Sequence, residues 1–129
     1  MRFQRHYTRD EARALIPQIR QWLDRLGRLR GELEKYDSQI LALVEPGRDV
    51  GGEVVNRWVR TLAEIKSLLM EFYKREIQVK DLDRGLMDFP ALINGREVFL
   101  CWEATEDDIE FWHDLDAGYV GREPLEESD

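Results

Sequence analysis

The sequence predicts an α+β fold, predominantly helical: a long antiparallel, coiled-coil-like helical hairpin followed by a β-hairpin and a short C-terminal helix. Three observations predict it. Apolar residues recur at spacings of three and four along residues 15–43 and again along 55–72. The run EPGRDVGG, residues 45–52, separates these stretches with the strongest loop punctuation in the chain. Further on, Asn94-Gly95 stands between two strand-like apolar runs, the pairing of residue types that a two-residue hairpin turn needs because both tolerate positive φ.

The first helix is expected over 8–44. Thr8 with Glu11 three residues on has the form of a capping box, and Leu15, Ile19, Trp22, Leu26, Leu29, Leu33, Tyr36, Ile40 and Leu43 form its seam. Pro17 removes one helical hydrogen bond, so a kink or break is expected between Arg13 and Pro17. Gly27 and Gly31 weaken a helix interior, which suggests that something packs closely there. The second helix is expected over 53–79, with the seam Val55, Trp58, Leu62, Ile65, Leu69 and Phe72. One antiparallel register, in which facing residue numbers total 98, aligns both seams and sets Leu33 against Ile65. Val54, Val59, Leu68 and Tyr73 then form a leftover apolar stripe that the C-terminal segment or a second subunit must cover.

In the β-hairpin, 86–103, the Asn94-Gly95 turn pairs Ile93 with Arg96, Ala91 with Val98, Phe89 with Leu100 and Met87 with Trp102, leaving one face almost wholly apolar. Pro90 marks an edge position or an irregularity. Thr105 followed by three acidic residues reads as a helix start, giving a short helix over 105–117 that Gly118 ends; YVGREPL then runs extended. The whole of 1–125 reads as a single domain, with 126–129 a disordered tail.

Cys101 is the only cysteine, which excludes an internal disulfide and suits a reducing cytoplasm. No apolar run approaches a membrane span, and the start of the chain lacks a signal-peptide core, so no membrane association is expected. The net charge of -8 divides unevenly: residues 1–80 carry 16 Lys+Arg and 12 Asp+Glu, residues 81–129 carry 3 and 15. Such a C-terminal field repels phosphate backbones and argues against nucleic acid, while attracting divalent cations, basic partners or the positive part of another copy. Arg9, Arg13, Arg20, Arg28 and Arg30 are interleaved with acids and lack an aromatic platform, so they read as a solvated helix face rather than an RNA surface.

Three blocks, YTRDEARALIP, VKDLDRGLMDFPALINGREVFLCW and FWHDLDAGYVGREPL, resemble the domain of unknown function 2203 family over nearly the whole chain. The resemblance implies a small bacterial cytoplasmic protein with a helical hairpin ahead of these C-terminal blocks. It brings no activity and no catalytic residues.

Chemistry is sought at His113. On a helix, Glu110, His113 and Asp116 share one face, and the polar side of the ribbon offers Asp88 and Glu103, a mixed set for zinc, manganese or iron. The plainer reading is a helix-end histidine among solvated acids, and a third is acid/base catalysis by His113. Cys101 faces the same side as Asp88, where a lone strand cysteine is ordinarily packing. KDLDRGLMD fails the calcium-loop template in its glycine and its last ligand, Glu110-x-x-His113 lacks the second pair of a di-iron bundle, and GRDVGG lacks the ending of a phosphate loop. Asp81, Asp83, Arg84, Asp88, Trp112 and Arg122 are candidates for a binding surface, with Asp81 and Asp83 also suited to holding Arg84 or Arg122 at the helix–ribbon junction. Two functions follow. The first is a non-enzymatic homodimeric hairpin module whose acidic C-terminal part meets a protein partner; the alternative is a small metal-binding protein or metal-dependent hydrolase built on His113 and nearby carboxylates.

Overall fold

The computed structural model describes residues 1–44 and 52–126. It combines two helices, α1 (Arg9–Val44) and α2 (Glu53–Tyr73), with five strands: β1 (Gln78–Asp81), β2 (Leu86–Ile93), β3 (Arg96–Trp102), β4 (Phe111–Asp114) and β5 (Glu123–Pro124). The mixture is α+β, as expected. The chain falls into two compact units, Met1–Arg20 with Phe72–Asp129, and Gln21–Glu71. Of the expected loop at 45–52 and the expected tail at 126–129, residues 45–51 and 127–129 lie outside the described residues.

In the unit that holds the sheet, α1 starts on a reciprocal capping box. The Thr8 amide donates to Glu11 Oε1 at 2.9 Å and the Glu11 amide to Thr8 Oγ1 at 3.1 Å, filling two donors that the helix start leaves open. The helix then passes through Pro17 without a break. Pro17 and Arg13 are both exposed, so water can serve the Arg13 carbonyl that proline leaves without a donor.

The strands form one antiparallel meander in the order β1-β2-β3-β4-β5. The β2–β3 register is the one the Asn94-Gly95 turn dictates, including Phe89 opposite Leu100 and Met87 opposite Trp102, and both turn residues have positive φ, 51° and 76°. Met87, Phe89, Ala91, Val98, Leu100 and Trp102 share one face and are all buried. Tyr7 and the start of α1 lie on this face, where Tyr7 meets Phe89 edge-on at 5.4 Å and the Arg20 guanidinium sits over Trp102. Burying these large side chains contributes about 1.5–3 kcal/mol each before chain entropy is charged. Pro90 pairs with Phe99 but lies past the end of β1, so its other side is a local edge where no donor is required; its carbonyl instead accepts from the Tyr7 amide at 2.7 Å.

Two expectations about element boundaries are corrected. The second helix stops at Tyr73, not 79. Glu76 takes a left-handed conformation (φ 58°), the Ile77 amide donates to the Phe72 carbonyl and the Glu76 amide to the Tyr73 carbonyl, which is the Schellman pattern ending a helix. The Glu76 carboxylate then receives the Gln4 and Arg5 amides, so the residue in the unfavourable conformation also anchors the chain start. The short helix over 105–117 does not form. Residues 111–114 are instead β4, which fills the free edge of β3 with Phe99 opposite His113 and Cys101 opposite Phe111. The preceding carbonyls are taken by side chains: Arg20 donates to Ala104 and Glu106, Trp102 to Glu106, and Arg9 to Ile109. Those carbonyls therefore have partners without a helix. Gly118, expected to end that helix, sits in the turn ahead of the 3-10 turn Tyr119–Gly121.

The other unit carries the rest of both helices. Trp58 Nε1 donates to Asp37 Oδ1 at 2.9 Å, joining early α2 to late α1, and nearer the middle of both helices Arg25 donates to Glu64 at 2.6 Å, so the helices run antiparallel here. The register totalling 98 does not hold at Arg25. It would set Glu64 opposite Glu34, about 13.5 Å along the axis from Arg25 at 1.5 Å per residue, beyond the reach of that ion pair. The α1 seam is oriented as expected here, with Leu26 and Leu29 buried. The α2 seam is rotated by one position: Thr61 is buried and Leu68 half-buried, whereas Leu62 and Leu69 are exposed. Nothing packs on Gly27 or Gly31, where an added Cβ would meet no atom within 4 Å. Among the described residues no helix is long and apolar enough to cross a membrane.

Candidate functional site

The polar face of the sheet carries a buried cluster drawn from three adjacent strands. Register places Asp88 of β2 opposite Cys101 of β3, and the β3–β4 pairing brings His113 alongside. Asp88, Cys101 and His113 are each no more than 2% exposed. His113 Nε2 lies 3.0 Å from Asp88 Oδ1, and Nδ1 lies 2.7 Å from the Asp114 carbonyl. A carbonyl only accepts, so Nδ1 carries a proton, and Nε2 faces a carboxylate that also accepts; the imidazolium satisfies both. Burial works against that charged form, but the Asp88 hydrogen bond, the Asp114 carbonyl and the Asp88 charge outweigh it and raise the His113 pKa. For Cys101, burial pushes the thiol up to about 12, with the Asp88 charge adding to the rise and Arg122 opposing it. The thiol is therefore protonated and is not a nucleophile in this state.

Of the five metal candidates, the structure joins only His113 and Asp88. Glu110 and Asp116 were placed beside His113 by helical spacing, and in a strand followed by a turn that spacing is lost; both are exposed. Glu103 is drawn off by other partners, accepting from Arg84 Nη2 at 2.8 Å and from the Tyr119 hydroxyl at 3.0 Å. Cys101, which the ribbon register placed beside Asp88, takes its place in the cluster. Acid/base catalysis by His113 is not supported, because both its nitrogens are engaged and the ring is shut away from solvent.

Asp81, Arg84, Asp88, Trp112 and Arg122, five of the six binding-surface candidates, make contacts within the chain. The Arg84 amide donates to Asp81 Oδ1 at 3.1 Å, which closes the β1–β2 turn. Asp81 thus holds the Arg84 backbone, while the Arg84 guanidinium goes to Glu103 and lies over Tyr119 at 4.4 Å. Arg122 is sandwiched between the rings of Phe111 at 3.7 Å and Tyr119 at 4.7 Å and pairs with Glu106. Trp112 lies under Arg96, which pairs with Asp114. Asp88 belongs to the buried cluster, and Asp83 sits in the turn between β1 and β2. Arg9, Arg13 and Arg20 of α1 are spent in the same way, Arg13 gripping Asp108 with bonds of 2.7 and 3.0 Å. Part of the charge asymmetry is thus answered within the chain.

One long-range contact was missed in the sequence. His6 Nε2 lies 2.7 Å from Glu97 Oε2, and the Arg2 and Phe3 amides donate to the same carboxylate. The His6 bond, with those amides, holds the Glu97 carboxyl at about 2. Only a fold that returns the chain start to β3 makes this pair, and no local motif announces it. Because the carboxyl is depressed, its stabilising effect is complete above the ordinary value of 4.5 and is lost as pH falls toward about 2. Amide NMR should show Arg2 and Phe3 released over that acid range, and Glu97→Ala should release them already at neutral pH.

No curated protein and no solved structure matches the chain. The family model described as "Uncharacterized conserved protein (DUF2203)" matches residues 5–125, so the resemblance read from the three sequence blocks is borne out. With that match spanning both helices and all five strands, the chain belongs to the DUF2203 family.

Proposed function

We propose that this chain is a cytoplasmic, non-enzymatic interaction module that pairs with a second copy of itself through the outer face of α2. One observation carries the reading. Val59, Leu62, Leu69 and Met70 are 51%, 37%, 38% and 46% exposed, and they share an arc of about 100° on the helix surface. That arc adjoins the inward row of Trp58, Thr61, Ile65 and Leu68. The apolar stripe thus covers more than half of the helix circumference, and α1 covers only part of it. A helix with two apolar faces wants two neighbours, as in a coiled-coil-like hairpin that assembles further. Leu62 and Leu69 were assigned to the hairpin seam by periodicity; rotated out of it, they strengthen the leftover stripe.

The acidic C-terminal surface has weaker support, since Glu97, Glu103, Glu106, Asp108 and Asp114 all hold partners within the chain. The hydrolase form of the alternative has none in the geometry of His113. Sedimentation equilibrium at micromolar concentration tests the dimer. The wild type should sediment as a dimer, and Leu62→Glu/Leu69→Glu as a monomer of unchanged helical content. A wild type that remains strictly monomeric at these concentrations contradicts the reading.

A further inference from the structure

Asp88, Cys101 and His113 offer a carboxylate oxygen, a sulfur and an imidazole nitrogen that all lie within 4.8 Å of one another in the buried face of the sheet. We propose that this cluster is a zinc-class metal site, taking one Zn2+, or Co2+ in its stead, through the Asp88 carboxylate, Cys101 Sγ and His113 Nε2. The donor set points to this class, because mixed nitrogen, sulfur and oxygen ligation suits zinc, while calcium and magnesium require oxygen throughout.

The geometry meets three further requirements. Bonds of about 2.0–2.3 Å at tetrahedral angles set donors roughly 3.3–3.8 Å apart, so the Asp88–His113 contact at 3.0 Å needs to open by only a few tenths of an ångström. The Asp114 carbonyl fixes the proton on Nδ1 and turns Nε2 toward the cluster, the outer-sphere arrangement that orients a ligating histidine. The donors also stand on three hydrogen-bonded strands, a stiffer mount than a loop.

Charge closes the argument. One divalent ion displaces two protons, from the imidazolium Nε2 and the Cys101 thiol, and both pass to solvent. The carboxylate and thiolate then balance the metal, so the buried cluster, with Phe99 5.6 Å from the His113 ring, receives a site that adds no net charge. The competing occupant is the Asp88–His113 ion pair itself, which satisfies the same groups without metal. The site is independent of the α2 face, so dimerisation and metal binding are separately testable.

The full chain, refolded from denaturant with excess Co2+ and then dialysed, tests the proposal. The result expected is one cobalt per chain with a near-ultraviolet thiolate-to-cobalt charge-transfer band, and loss of that band in Cys101→Ser. Elemental analysis after the same treatment with Zn2+ should give one zinc per chain. Protein that retains no metal overturns the proposal, and so does cobalt retained without the thiolate band. Both readouts are taken on the wild type, so they stand even where a variant fails to fold.

Discussion

Asp88→Ala should destabilise the metal-free protein by about 3–5 kcal/mol, the cost of removing one partner from a buried ion pair. Asp88 is 2% exposed and is the acceptor facing His113 Nε2. Without it the imidazole must either stay charged without a counterion or lose its proton, and in both cases a buried group is left unmatched. Against a total stability of about 5–15 kcal/mol, that loss threatens the fold of the sheet unit. The Asp88→Ala/His113→Ala double variant should cost less than the two single changes together, because the second change removes the group that the first stranded. A pH signature accompanies it. The raised His113 pKa means that the pair's contribution is complete below the ordinary value of 6.5 and fades as pH rises through the higher folded value. Denaturant titrations from pH 6 upward should show the wild type losing stability along this course and Asp88→Ala showing no such slope. A cost below about 1 kcal/mol would place the pair with exposed ones, where solvent screens the interaction.

Gly27→Ala and Gly31→Ala act in the opposite direction. Both glycines lie in the interior of α1, both are exposed, and an added methyl at either meets nothing. Alanine narrows the unfolded chain's freedom and favours helix by about 0.5–1 kcal/mol per site. The pair of changes should therefore stabilise the helical unit by about 1–2 kcal/mol, read as a higher denaturant midpoint with an unchanged slope. A double variant less stable than wild type would mean that a partner packs against this stretch of α1.

Those glycines mark a general limit of local reading. Gly27 and Gly31 suggested close packing, but a small residue in a helix shows only that packing is permitted. What was legible was set by local rules. The Thr8–Glu11 box, the stretch of the α1 seam at Ile19, Leu26 and Leu29, and the β2–β3 register each depend on residues close in sequence, and each appears in the structure. The end of α2 was illegible because Glu76, not glycine, occupies the left-handed position. The rotation of α2 was illegible because its apolar residues span so much of the circumference that periodicity admits two faces. At 105–117, an acidic run imitated a capped helix start, while the deciding facts were remote: a bare edge of β3, and arginines of α1 within reach of the carbonyls. The candidate site followed the same division. The hairpin register put Asp88 and Cys101 side by side, but His113 was joined by helical spacing to Glu110 and Asp116 and reached its real neighbours only through β4.

Pairing through the outer face of α2 is the central claim, and a dipolar distance measurement tests it most directly. A spin label on Lys66→Cys, in the middle of the exposed stripe, gives one label per chain, since Cys101 is buried and its thiol is held protonated. Any dipolar coupling is then between chains. A narrow, short interlabel distance at micromolar protein, abolished by Leu62→Glu/Leu69→Glu, is the result expected. A decay showing only randomly distributed, non-interacting labels would contradict it.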